Sequence, residues 1–330
     1  MMKKPVIIAA ALLLILCIGG GVSLYFWPGL MGLAMRGGHK ANEHEGSTTK
    51  PHAAERVPNT TIGKLVRELG EVQDRIALGK AEALADQQRQ FGILADEFDQ
   101  IDSGNWQSLP KTDDILVYVL SGGEPDVLRR FMAASPPVAA EKRVVESVLH
   151  FVDQNSREAS ASLGELNLLE LRSGIAGPIA LAKASLLAGT DDKKASAALD
   201  VARLVSPHSA IEEAALRRQI PLLFAEKNYA RGLQLMVDYV SQYGESLYAP
   251  KFYHSVSLIV VQNDKSDGTK FIDGFADAVD GVGDQVASDV LLSFARTFLA
   301  QGRLTAAKLT AGRTLMRANA SEANKSRARL

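Results

Sequence analysis

The sequence predicts an all-α protein, an array of paired helices behind an apolar N-terminal segment. Aromatic residues make up only 6% of the chain, while Ala, Leu, Glu, Arg and Lys dominate long stretches, which favours helix over sheet on intrinsic propensity. Apolar side chains recur at three- and four-residue steps from Ile62 to about Leu315, with almost no strand-like alternation. Short polar breaks interrupt that pattern at nearly even intervals, as they do when one supersecondary unit is repeated.

The first element is an export segment. Lys3 and Lys4 precede a stretch from Pro5 to Met35 with no charged residue, the arrangement of a secretory signal or a membrane anchor. As a helix at ~1.5 Å per residue, Val6 to Trp27 would span roughly 33 Å, enough to cross a bilayer core. Tyr25, Phe26 and Trp27 then fall at the interface, and Pro28-Gly29 stops the helix. Gly19 to Ser23 supplies the small residues of a cleavage site but no clean A-x-A. Two fates follow for residues 1–35: a cleaved signal releasing a soluble periplasmic protein, or an uncleaved anchor in the inner membrane. Cys17, the one cysteine, follows Leu16 where a lipoprotein signal wants a small residue, so it reads as an apolar residue of the signal helix. No disulfide or cysteine-based metal site is open to the rest of the chain.

Residues 36–58 are rich in Gly, His, Glu, Ser, Thr and Pro and read as a linker. His39, His44 and His52 lie at spacings that put no fixed pair on a rigid face, so they read as solvated. The helical domain is expected over 59–318. Thr60 or Thr61 caps a first helix whose stripe is Ile62, Leu65, Val66, Leu69, Val72 and Ile76. A second stripe, Leu84, Phe91, Leu94, Phe98 and Ile101, completes a hairpin and ends in the turn cluster Asp102 to Asn105.

Further breaks fall near Gly122-Gly123, Asn155, Gly189, Lys227, Asp264 and Gln301-Gly302, at intervals of 33, 34, 38, 37 and 37 residues. That is the length of a helix-turn-helix repeat. Between them run the stripes Ala195, Ala198, Leu199, Ala202 and Val205, then Leu233, Met236, Val237 and Val240, then Val290, Leu291, Phe294 and Phe298. With Pro207 as a closing proline, Ala195 and Ala202 occupy tetratricopeptide small-residue positions, whereas Lys183 does not, so the array is degenerate and tetratricopeptide-like. Asp113 to Leu120, DDILVYVL, reads as a short strand or a buried helix. Pro221 is expected to kink or interrupt the helix that begins near Ser209. Residues 319–330 read as a polar tail without a closing apolar helix.

The residues point away from catalysis. There is no phosphate loop, H-E-x-x-H, G-x-S-x-G or dinucleotide fingerprint. Asn263 to Asp273 lacks the carboxylates of a calcium loop, with Lys265 at its third position. Asp273, Asp277, Asp280 and Asp284 recur at helical spacing and read as a solvated acidic face, and His150, His208 and His254 are isolated. No enzyme activity, cofactor or metal is expected. A net charge of -1 provides no field for nucleic acid. The aromatics gathered between Phe224 and Tyr253 read mainly as core, with an exposed subset available to a partner. Beside them Arg217-Arg218 supplies residues typical of binding hot spots, so Arg217, Arg218, Tyr243 and Tyr248 are the candidate partner-binding residues, with a structural role for any that are buried.

Three blocks carry a resemblance: Thr61 to Leu84, TIGKLVRELGEVQDRIALGKAEAL; Leu116 to Arg130, LVYVLSGGEPDVLRR; and Ala198 to Ile220, ALDVARLVSPHSAIEEAALRRQI, followed by DYVSQYGESLYAPKF up to Phe252. In order and spacing they resemble the MotC family, the chemotaxis or motility protein C of rhizobia and related α-proteobacteria. The resemblance implies a non-catalytic periplasmic protein that associates with the periplasmic region of the flagellar stator protein MotB and supports motor rotation. The longer N-terminal segment and the polar tail depart from that family and fit a divergent or shortened member. The alternative is a general tetratricopeptide-like scaffold for envelope assembly, unrelated to the motor.

Overall fold

The computed structural model describes residues 62–101, 106, 111–263, 269–279 and 281–329. Among them the chain forms fifteen α-helices and one short 3-10 helix, Leu168–Glu170, and no strand. The helices run in pairs: α1 (Ile62–Ala77) with α2 (Ala83–Asp99), α3 (Thr112–Leu120) with α4 (Pro125–Ala134), and α5 (Ala139–Val152) with α6 (Ser156–Glu165). Then come α7 (Ser173–Leu187) with α8 (Asp192–Val205), α9 (Ala210–Ala225) with α10 (Tyr229–Tyr243), and α11 (Ala249–Asn263) with α12 (Thr269–Ala278). The last pair is α13 (Asp284–Ala300) with α14 (Leu304–Leu315), followed by the short α15 (Glu322–Ala328). The expected export segment, the linker and the capping threonines lie outside the described residues. Among those described, no helix is long and apolar enough to cross a membrane.

The first helix of a pair ends in a recurrent stop. Gly79, Gly122, Gln154, Gly189, Lys227 and Gly302 have φ of 82°, 110°, 61°, 81°, 62° and 72°, the left-handed conformation that turns a chain out of a helix. At five of these turns the next N–H donates to the carbonyl five residues earlier: Lys80 to Arg75, Gly123 to Tyr118, Asn155 to His150, Asn228 to Leu223 and Arg303 to Phe298. These bonds form Schellman caps, which satisfy carbonyls left free in the last helical turn. The breaks expected at Gly122-Gly123, Asn155, Gly189, Lys227 and Gln301-Gly302 are thus the turns inside the hairpins, while Asp264 lies outside the described residues.

Pairs stack through alternate helices. Along one side α7 packs on α9, α9 on α11, α11 on α13 and α13 on α15; along the other, α10 packs on α12 and α12 on α14. Two large apolar clusters result, beside a small third one, and α9 divides the two: Ala214, Ala215 and Leu222 belong to the first, Leu216, Ile220, Leu223 and Phe224 to the second. Since α9 touches α1, α7, α8, α10 and α11, nearly its whole circumference is buried.

Open alternatives are decided here, and several expectations change. DDILVYVL is helical, as α3, because Ile115, Leu116, Tyr118, Val119 and Leu120 are all buried among neighbouring helices and tertiary packing outweighs β propensity. Pro221 does not interrupt α9, which runs unbroken through it; the helix is held by neighbours all round, and their packing outweighs the ~3 kcal/mol a proline costs. Residues 319–330 include the polar helix α15, capped by the Ser321 hydroxyl accepting from the Asn324 N–H and seated on α13 and α14. Leu84 lies off the buried stripe of α2 and is 45% exposed.

Candidate partner-binding site

The four candidate residues sit in the middle of α9, at the last residue of α10 and in the turn into α11, close to where the α1–α2 hairpin meets α9. Ser209 caps α9 by accepting the Glu212 N–H at 3.4 Å, the S-x-x-E arrangement of a capping box. The Glu212 carboxylate reaches back one residue further than usual, to the His208 N–H at 2.6 Å, and the positive φ of His208 (56°) marks the turn there. From α1, Asp74 accepts the Ala210 N–H at 2.7 Å and so supplies a second anion to the same helix start. Burial raises the Asp74 carboxyl above its ordinary value, partly offset by that N–H.

Glu213 is the centre of the network and is 1% exposed. It accepts from Arg217 Nε at 2.7 and 2.8 Å, from the Tyr239 hydroxyl at 3.0 Å and from Ser246 Oγ at 2.9 Å. Burial opposes the charge on Arg217, yet the Glu213 carboxylate holds that guanidinium firmly protonated. The guanidinium also lies over the Tyr248 ring at 4.6 Å. Tyr248 in turn packs with Leu247 on Val72, Ile76 and Ala83 of the N-terminal hairpin. At the same contact Gly79 approaches so closely that a Cβ would stand 2.3 Å from the Glu245 carbonyl oxygen.

The structure divides the candidates. Arg218 is 8% exposed and donates to Leu181 O and Ser185 Oγ at 3.3 and 3.2 Å, a bridge from α9 to α7. Burial, with Arg217 beside it, brings its pKa down to about 10. Tyr243 is also buried; its hydroxyl donates to Glu212 at 3.0 Å, and burial next to that carboxylate pushes its pKa up. Both are structural, as sequence reasoning required of any candidate found inside. Arg217 and Tyr248 remain as a half-buried pair at one edge.

Glu212, Glu213, Ser246 and Asp74 escaped the sequence reading. The S-x-x-E spacing after Ser209 was a local signal for Glu212, but only the fold brings Asp74 and Ser246 to the same place. Of the aromatic group, Phe224, Tyr239, Tyr243, Phe252 and Tyr253 are core, and Tyr229 and Tyr248 are half-buried. Asp273 and Asp277 are solvated and pair with Arg313, each at 3.4 Å, Asp284 pairs with Arg317, and Asp280 lies outside the described residues. On the other side of the Gly244–Ser246 turn a cleft of about 580 Å³ holds His254, Asp289 and Ser293, with no hydrogen bond joining the three. Among the described residues no group of His, Cys, Asp and Glu could hold a metal ion.

The first and third signature blocks, with the segment up to Phe252, therefore form one physical unit, in which α1, α9, α10 and the turn into α11 share a buried network. The family described as chemotaxis protein MotC matches residues 30–330. The chain belongs to the MotC family. It is 26% identical over 189 residues to the chemotaxis protein MotC of Rhizobium meliloti (strain 1021). That alignment covers 57% of this MotC-family chain and 44% of the relative, so the chain matches less than half of the relative's length. No solved structure matches it.

Proposed function

We propose that this MotC-family chain is a non-catalytic motility protein of the periplasm. In this reading it associates with the periplasmic region of the flagellar stator protein MotB and supports motor rotation. Its helix pairs serve as a degenerate tetratricopeptide-like scaffold behind an exported N-terminus. The observation that carries the reading is the family match from residue 30 to residue 330, which takes in every helix of the array. The recurrent hairpin turns support the scaffold, and the two lysines before an uncharged stretch support export.

The edge formed by Arg217 and Tyr248 is the proposed contact. The test is binding of the full chain, in a mild non-ionic detergent, to the purified periplasmic region of MotB. Truncating a central hot-spot residue typically costs ~2 kcal/mol, so Arg217→Ala or Tyr248→Ala should weaken binding by roughly 30-fold at unchanged helicity. Wild-type affinity in both variants would move the contact elsewhere. No binding by the wild type would remove the stator reading altogether. A reporter fused after Gly46 should be active only outside the cytoplasm, and a full-length product resisting carbonate extraction would identify an anchor.

A further inference from the structure

The last described helices, α13, α14 and α15, form an open groove of about 440 Å³. α13 gives one face to the core through Val290, Leu291, Phe294 and Phe298, none more than 1% exposed. Its other face, Leu292, Ala295, Arg296 and Leu299, recurs at helical spacing and forms one wall of the groove. α14 likewise buries Ala306, Ala307, Thr310 and Thr314 and turns Leu304, Lys308, Ala311 and Leu315 toward the groove at helical steps, with Ala307 at its floor. Leu299, Leu304 and Leu315 are 46%, 57% and 39% exposed, and a Cβ placed on Gly312 would meet nothing within 4 Å.

Four cations line this apolar channel, Arg296 and Lys308 from the two long helices and Arg327 and Arg329 from the end of α15, and among the described residues no side-chain carboxylate does. None of the four forms an ion pair among the described residues; Arg327 makes only a 3.5 Å hydrogen bond to Asn324. Arginines elsewhere on the same two elements behave differently, since Arg313 pairs with Asp273 and Asp277 and the helix-flanking Arg317 with Asp284. A concave apolar floor inside a one-signed rim complements an apolar ridge flanked by the opposite sign. From Leu304 to Leu315 the wall is about 16 Å long at the helical rise of ~1.5 Å, the length of three helical turns.

We propose that this groove binds an amphipathic helix of a partner protein, about three turns long, with an apolar ridge set between Asp and Glu residues. The inference does not depend on the MotB reading, because its test uses no MotB. The probe is a fluorescent helical peptide with Leu at positions i, i+3, i+4 and i+7 and Glu at the flanking positions. Its counterpart carries Lys in place of Glu. Both are titrated by anisotropy into the full chain in a non-ionic detergent.

The acidic peptide should bind at least about tenfold more tightly than the basic one, and added salt should reduce that preference. The paired change Arg296→Glu and Lys308→Glu should reverse the preference, while Leu304→Asp should weaken both peptides. All three positions are exposed, and unchanged helicity confirms that the variants fold. Equal binding of the two peptides overturns the proposal, as does no binding up to about 1 mM, or a preference unmoved by charge reversal. So does displacement of the acidic peptide by micelles carrying an anionic phospholipid, which would make the groove a lipid site. Self-association of the wild type that Leu304→Asp abolishes would give the groove to a second copy and overturn it too.

Discussion

The junction around α9 and the far end at α13 to α15 both place arginines against apolar surface, with opposite outcomes. At α9 both arginines find acceptors within the fold: Glu213, one turn back on the same helix, receives Arg217, and the carbonyl of Leu181 on α7 receives Arg218. At the far end Arg296, Lys308 and Arg329 face an open channel with no carboxylate among its lining residues. Hot-spot residue types therefore mean different things at the two places. Where helices surround an arginine, as at Arg218, it joins the architecture; where one side stays open, as at the Arg217 edge and along the far groove, it is available to bind.

The contrast is tested most severely at Glu213. Glu213→Ala leaves Arg217, Tyr239 and Ser246 without their shared acceptor inside the protein. Breaking a buried pair from one side costs ~3–5 kcal/mol, and partial exposure of Arg217 places this loss near about 3 kcal/mol in denaturant unfolding. A loss under about 1 kcal/mol would show that the junction is not held by its charges. Gly79→Ala comes next. A left-handed residue with a Cβ costs ~1–2 kcal/mol and the clash with the Glu245 carbonyl adds to it, so about 2 kcal/mol is expected, with the α1–α2 hairpin loosened first.

Asp74 gives a smaller, pH-dependent effect. Its folded pKa is raised by burial, so the folded protein holds that proton more tightly than the unfolded chain. The stabilisation is complete below the ordinary carboxyl value and is lost as pH rises through the folded one. Asp74→Asn keeps an acceptor for the Ala210 N–H and cannot ionise, so it should match wild type in acid and exceed it near neutrality by up to about 1 kcal/mol. A difference that does not change with pH would refute the assignment. The smallest effect belongs to the far end, where Arg296→Ala and Lys308→Ala should each change the unfolding free energy by less than about 0.5 kcal/mol. A larger change would mean that these cations serve the fold after all.

The helix class and the hairpin turns were legible because both are written locally. Period, polar breaks and the glycines at Gly122, Gly189 and Gly302 lie within a few residues of what they determine. The candidate site was only half legible. Arginine and tyrosine composition drew attention to the right segment, but whether Arg218 faces solvent depends on α7, and the role of Tyr248 depends on a hairpin far earlier in the chain. The acceptors at the junction, Glu213 and Asp74, carry no local signal that sets them apart from surface carboxylates. Pro221 misled for the same reason, since a local rule was outweighed by five helices that no local window contains. The groove was not read from the sequence: Leu304, Lys308, Ala311 and Leu315 fall at helical spacing, but only the fold shows that this side of α14 stays open.

The bond from Ala210 to Asp74 joins residues 136 positions apart, while the hairpin caps close over five. Closing a long loop costs entropy before the contact can return any, so local hairpins form early and distant docking comes late. The α1–α2 hairpin, which also packs on nearby α3, is thus expected to reach α9 late. Its departure would uncover Glu212, Glu213 and the start of α9 together, which makes the family's signature segment the region whose protection reports whether the molecule is fully assembled.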